Sequence, residues 1–277
     1  MIGAIVSFTS MAVAGRAVSF ELDTFEIMLF RSLIGIAIVV GVGALTGKLR
    51  QVTTRRKDVH LIRNLSHFVG QNLWFYAITV IPLAQVFALE FTLPIWAMLL
   101  AIFVLGERLT LTRVATATLG FAGILIVARP WVGGISPGLA MAALAAVGFA
   151  GSAVFTRLLT RTETVLCILF WLTMMQAAFG IICAGFDGDV ALPSAQSWPW
   201  LVLIGCAGLA AHFCLTTALS LAPASVVMPI DFARLPVIAV VGALFYNEPV
   251  QAAVLVGAAV IFAANYANIL AETRMKR

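Results

Sequence analysis

The chain has 277 residues, of which 62% are hydrophobic and only 10% charged, with a net charge of +5 at pH 7 and a mean hydropathy of +1.07. A soluble domain carries about 25% charged residues, so the composition excludes an ordinary water-soluble fold and predicts an all-α polytopic membrane protein. The basic balance is what cytoplasmic loops of such proteins supply, and without a lysine/arginine block interleaved with aromatics it gives no sign of nucleic-acid binding.

A spanning helix needs about 20 mostly apolar residues. Breaking the chain at turn residues and charges gives ten such segments, at roughly 2–19, 24–46, 60–80, 83–104, 111–128, 136–156, 165–186, 198–220, 224–246 and 251–271. They are too long and too uniformly apolar for alternating barrel strands, so transmembrane helices are expected. The first, MIGAIVSFTSMAVAG, has no basic stretch ahead of its AVA triplet and reads as a span rather than a cleaved signal. Its abrupt start at Met1 leaves room for a short polar segment before it. Toward the outer side, Arg16 and Arg31 have Glu21, Asp23 and Glu26 nearby, which predicts ion pairs shaping an outer entrance. In the second span, Gly43 and Gly47 fit the small-residue spacing for close helix packing.

With the N-terminus inside, the loop GKLRQVTTRRKD and the other inner positions hold thirteen Lys and Arg residues against three outside. That asymmetry predicts that both termini are cytoplasmic. Arg63 is counted among the inner charges.

The third span carries His67, Gln71 and Trp74 at i, i+4 and i+7, one polar stripe suited either to a cavity wall or to a helix-to-helix seam. The fourth, PLAQVFALEFTLP, buries Glu90 in an apolar run, where a carboxylate costs about 2.5–3.5 kcal/mol at helix centre and must face protein or water. Its functional readings are a proton-titrating group or an anchor for a substrate amine. In the eighth span His212 stands alone in GLAAHFCLTT. The ninth, PASVVMPIDFARLP, holds Asp231 and Arg234 three residues apart, which predicts that they pair on one face. The alternative has Arg234 hold a substrate carboxylate, so that Glu90 and Arg234 together match a zwitterion. Pro94, Pro229 and Pro236 lie within spans, each removing a donor and kinking its helix, as a packing feature or beside a midplane site. The four cysteines show no CxxC or Cys/His spacing, and neither a metal nor a cofactor is expected.

A shift of 141 residues lays Pro82 on Pro223, Val86 on Val227, Glu90 on Asp231, Phe91 on Phe232 and Glu107 on Glu248. The same shift places Gln71 on His212. The chain therefore reads as two homologous halves, 1–130 and 131–277. Five spans per half is an odd number, so the halves enter the membrane from opposite sides, an inverted repeat common in secondary transporters.

FRSLIG (30–35), YAITVIPLAQ (76–85), EFTLPIWAMLLAIFVLGERLT (90–110) and DFARLPVIAVVGALFYNEP (231–249) resemble the drug/metabolite transporter superfamily, in its EamA-type branch. The likeness covers essentially the whole chain and is nearest to amino-acid exporters of the YddG type. It implies a central cavity lined mainly by the third, fourth, eighth and ninth spans, with the fifth and tenth peripheral. It also implies export or exchange of small metabolites.

The expected activity is secondary active transport by alternating access, in a multi-pass protein of a bacterial inner membrane. Export of aromatic and other neutral amino acids is the first reading. Uptake or exchange of S-adenosylmethionine or a nucleotide-like metabolite is the alternative. No HExxH, GxSxG or P-loop pattern occurs, so no enzyme is expected and transport would draw on a gradient. The partners are a small-molecule substrate and the lipid bilayer; a monomer is compatible with the sequence, which leaves the oligomeric state open.

Overall fold

A computed structural model describes residues 1–105, 111–129, 134–186, 190–221, 227, 234–249 and 251–275. Among them are eleven α-helices and no strand: α1 (Ile2–Val18), α2 (Thr24–Leu45), α3 (Lys57–Val80), α4 (Leu83–Glu90), α5 (Leu93–Leu105), α6 (Leu111–Ala128), α7 (Pro137–Leu159), α8 (Val165–Ala184), α9 (Trp198–Leu221), α10 (Arg234–Tyr246) and α11 (Ala252–Met275). Local chemistry sets their starts. Asp23 caps α2 by accepting from Glu26 N (2.8 Å), while Glu26 accepts from Asp23 N (2.9 Å), a reciprocal box. Ser136 and Thr164 cap α7 and α8 one way, accepting from Leu139 N and Cys167 N, with Pro137 at the first position of α7, where its missing donor costs nothing.

Among the described residues five stretches are long and apolar enough to cross a membrane: α2, α4 with α5, α7, α8 and α9; α1, α10 and parts of α6 and α11 are shorter apolar helices. The surface is inside-out relative to a water-soluble protein. Phe103, Leu244 and Phe245 are exposed, whereas Arg63, His67, Gln71 and Arg234 are buried. Apolar side chains outward and polar ones inward is the distribution that lipid imposes.

The expected fourth span is not one helix. It breaks at Phe91 and Thr92 between α4 and α5. Pro94 lacks the N–H that would reach the Glu90 carbonyl one turn back. Thr92 closes the end instead, its Oγ1 donating to Leu89 O (2.7 Å), and Asn265 Nδ2 of α11 donates to Phe91 O (3.4 Å). Glu90 is thereby the last residue of a helix that stops inside the bundle. Pro236, by contrast, lies exposed in the first described turn of α10, and Pro229 is outside the described residues. Gly47 does not join Gly43 in a helix interface: it follows α2 with φ +65°, a turn conformation that glycine tolerates.

The helices pair across the two halves: α1 along α9, α3 along α7, α2 along α8, α6 along α11, and α4 against α10. Replacing α1, α2, α3 and α6 by the counterparts that the 141-residue shift assigns leaves the first four pairings unchanged. The α3–α7 contact is the tightest where Gly70 meets Gly148: a Cβ on Gly148 would lie 2.8 Å from Gly70 Cα. Small residues there let two backbones touch and bring α3's polar stripe against α7.

Arg16 and Arg31 do not pair as expected. Arg16 Nε donates to Ile78 O (2.6 Å) and Nη2 to Ile81 O (2.9 Å), Nη1 pairs with Glu248, and the guanidinium sits 4.7 Å from the Tyr246 ring centroid. Glu248 also accepts from Leu83 N (2.9 Å). The end of α1 is thus tied to the α3–α4 turn and the end of α10. Glu21 and Glu26 instead hold the loop before α9, through Ser194, Ser197 and the Ala191 N–H. Arg31 is buried against Met28 Sδ (3.7 Å) and Met11 Sδ (4.0 Å).

Candidate functional site

The stripe on α3 faces the centre of the bundle. Trp74 Nε1 donates to Glu90 Oε2 (2.9 Å), and Arg234 Nη2 reaches Glu90 Oε1 at 2.7 Å. The Arg234 guanidinium also lies 4.8 Å from the Phe8 ring centroid and 4.7 Å from that of Phe87. A carboxylate held by an indole and a guanidinium, with ring faces on that guanidinium, is a workable way to bury a charge pair far from water.

One to two turns away, His67 of α3 and His212 of α9 meet edge to face, with ring centroids 4.6 Å apart and planes at 83°. Phe149 lies 5.9 Å from His67 and Phe8 6.1 Å from His212. Nε2 of each histidine and the amide nitrogen of Gln71 are buried without a hydrogen-bond partner.

These side chains surround a central cavity with a solvent-accessible volume of about 60 Å³, room for several waters. His67, Gln71, Trp74, Glu90, His212 and Arg234 all line it. Asp231 lies outside the described residues. The expected Asp231–Arg234 pair therefore falls outside the described residues; the described partner of Arg234 is Glu90, 144 residues away in the chain. Glu90 and Arg234 consequently do not present two separate charges to a zwitterion; each answers the other.

The cavity wall is wider than the third, fourth, eighth and ninth spans. Phe8 and Met11 of α1 contribute, as do Phe149, Ser152 and Thr156 of α7. Sequence reasoning also missed Arg63, which it assigned to the loop charges. Arg63 is one turn before His67 on the same stripe, buried, and on the cavity wall. Its Nε donates to Thr156 Oγ1 (3.0 Å) and its Nη1 to Asn64 Oδ1 (2.7 Å). Extending the i, i+4 spacing back from His67 would have found it. Nothing in an apolar span marks Phe8 or Phe149 in advance. A smaller cavity adjoins at His212 and is lined by Arg31, Thr173 and Gln176.

A mostly apolar cavity that holds a buried ion pair and a buried arginine, among helices with apolar outer faces, fits a membrane transport protein. The chain belongs to the EamA-like transporter family, whose model matches residues 1–129 and 136–270. It is 25% identical to an S-adenosylmethionine uptake transporter of Rickettsia bellii over 98% of this chain and 92% of that one. It is 31% identical to a riboflavin transporter of Brucella anthropi over 78% of each, and 25% identical to a riboflavin transporter of Vibrio cholerae over 88% and 82%. A solved crystal structure shares the fold, with a TM-score of 0.72 and 21% identity over 100% of this chain and 97% of its own. These relatives are named for S-adenosylmethionine and riboflavin, not for amino acids, which corrects the expected likeness to amino-acid exporters. The chain is a multi-pass membrane transporter of small metabolites.

Proposed function

We propose that the protein is a secondary active carrier for a nucleotide-like metabolite, of the S-adenosylmethionine or riboflavin kind, in preference to an amino-acid exporter. Its ten spans form two inverted halves, 1–130 and 131–277, in a bacterial inner membrane with both termini cytoplasmic. The observation that carries the reading is the central cavity, whose wall joins His67, Gln71, Trp74 and Glu90 of the first half to His212 and Arg234 of the second. Asp231 completes the proposed site by its place three residues before Arg234. Relatives named for S-adenosylmethionine and riboflavin transport support this reading over amino-acid export. A cavity of this volume admits water but no metabolite, so loading requires the helices at one end to part. Alternating access does this by exchanging the conformations of two similar halves.

Counterflow in proteoliposomes tests the reading. Vesicles preloaded with unlabelled S-adenosylmethionine, riboflavin or a neutral amino acid receive the labelled form outside. Saturable uptake of one of the first two, lost in Trp74→Ala, is expected. Saturable counterflow of amino acids alone would return the reading to amino-acid transport.

A further inference from the structure

Arg63 and Arg31 are the anomaly of the bundle. Both guanidiniums are buried, at 2% and 6% relative exposure, and neither meets a carboxylate among the described residues. Arg63 has only the neutral oxygens of Thr156 and Asn64; Arg31 has only methionine sulfurs. Guanidinium does not lose its proton in proteins, and a buried charge without a counter-charge is strongly unfavourable. Glu90, the one described carboxylate on the cavity wall, is already engaged by Arg234 and Trp74. With neutral histidines, Arg63 therefore brings the lining a positive charge that no described side chain answers.

The polar groups beside Arg63 fit the same need. Nε2 of His67, Nε2 of His212 and the Gln71 amide nitrogen are buried on the cavity wall without partners, in residues no more than 4% exposed. The amide nitrogen is a donor, and each imidazole presents Nε2–H in one tautomer. The planar fork of Arg63 matches a carboxylate or phosphate in two-point geometry. Unpartnered donors that share a cavity wall with a guanidinium lacking a described counter-charge suit an oxyanion.

We infer that the cavity contains an oxyanion subsite in which Arg63, assisted by His67, Gln71 and His212, receives a carboxylate or phosphate of the transported molecule. The inference rests on the carrier reading above and narrows it. The substrate is a molecule with an oxyanion at one end, and its remainder lies toward Trp74, Phe8 and Phe149. A ligand with cationic groups and no oxyanion is disfavoured, because no unengaged carboxylate of the described wall meets it.

The test is binding to purified full-length protein in detergent, read as thermal stabilisation against ligand concentration, with two matched pairs. Flavin mononucleotide against riboflavin isolates a phosphate. S-adenosylhomocysteine against its decarboxylated analogue isolates a carboxylate. In at least one pair the oxyanion member should bind about tenfold more tightly or better, the scale of one charge-assisted hydrogen bond. That advantage should vanish in Arg63→Met and survive in large part in Arg63→Lys. No advantage in either pair, or an undiminished one in Arg63→Met, overturns the subsite. If Arg63→Met does not fold, Gln71→Leu takes its place: the advantage should fall severalfold, and no fall overturns the proposal. The two readings fail separately. Oxyanion preference without counterflow would break the carrier reading alone. S-adenosylmethionine counterflow at an unchanged rate in Arg63→Met would break the subsite alone.

Discussion

Arg16 and Arg157 perform one task at opposite ends of the bundle, with different company. Arg16 donates to Ile78 O and Arg157 to Leu219 O, in each case a carbonyl 62 residues further along the chain. Both arginines and both carbonyls are related by the 141-residue shift. Beyond that bond the ends part. Arg16 also holds Glu248, the Ile81 carbonyl and the Tyr246 ring, and Glu248 reaches on to the start of α4. Arg157 has no carboxylate among the described residues; Glu107, the counterpart of Glu248, lies outside them. Among the described residues, an ion pair latches the Arg16 end, and the Arg157 end shows its carbonyl contact. Two packings of similar elements with a small energy difference are what a two-state transition requires.

The largest effect is expected between the ends, where α4 meets α10. Glu90→Ala removes the carboxylate that answers buried Arg234, and breaking such a pair costs about 3–5 kcal/mol. Thermal unfolding of the purified variant measures it. A loss no greater than that of an end variant would mean that the halves are not joined at the centre.

Next is the latch. Glu248→Gln should cost about 1.5–3 kcal/mol, the range for hydrogen bonds to charged groups, because both partners are largely buried. It should also open that end. In a background without native cysteines, Ile81→Cys should react severalfold faster with a water-soluble thiol reagent once Glu248 is changed. An unaltered rate would show that the ion pair is not what closes it.

Arg157→Gln should be milder, about 1 kcal/mol, since one carbonyl contact is described there against a network at Arg16. Arg16→Gln measured alongside it sharpens the comparison. Equal losses at 16 and 157 would erase the difference between the ends.

The smallest effect concerns the loop held near the Arg16 end. Hydrogen bonds from the Ser197 hydroxyl and the Ser194 N–H hold the exposed Glu21 carboxyl below its ordinary value of 4.5. A depressed carboxylate contributes stability that is fully present above its unfolded value and is lost as pH falls through the folded one. Amide exchange at Ser194 and Ser197 should therefore quicken below about pH 4.5. Glu21→Gln should flatten that dependence; a step that persists would place its origin elsewhere.

Much of this architecture was legible in the chain. Apolar runs of about 20 residues, capped by Asp23, Ser136 and Thr164, lie where α2, α7 and α8 form. A backbone in lipid has to satisfy its hydrogen bonds within its own segment, which makes such elements a local property. Local spacing likewise put His67, Gln71 and Trp74 on one stripe, and it would have added Arg63 had the stripe been followed one turn further. The cavity wall supplied by Phe8 and Phe149 carried no such mark, because an apolar residue in an apolar span looks the same whether it faces lipid or substrate.

Charge partnership belonged to the tertiary structure. The nearest acidic residue by sequence was the wrong partner for Arg16, which took Glu248, 232 residues on. Glu90 and Arg234 meet across 144 residues. Helical spacing governs only neighbours three or four positions apart. Pairings between helices depend on how close two backbones can come, and at Gly70 and Gly148 they touch. The sequence thus determined which segments are helices and which of their faces are polar. Only their packing decided which charges neutralise each other and that Arg63 faces the cavity without a counter-charge among the described residues, because a buried charge is resolved by its nearest neighbours in space and not along the chain.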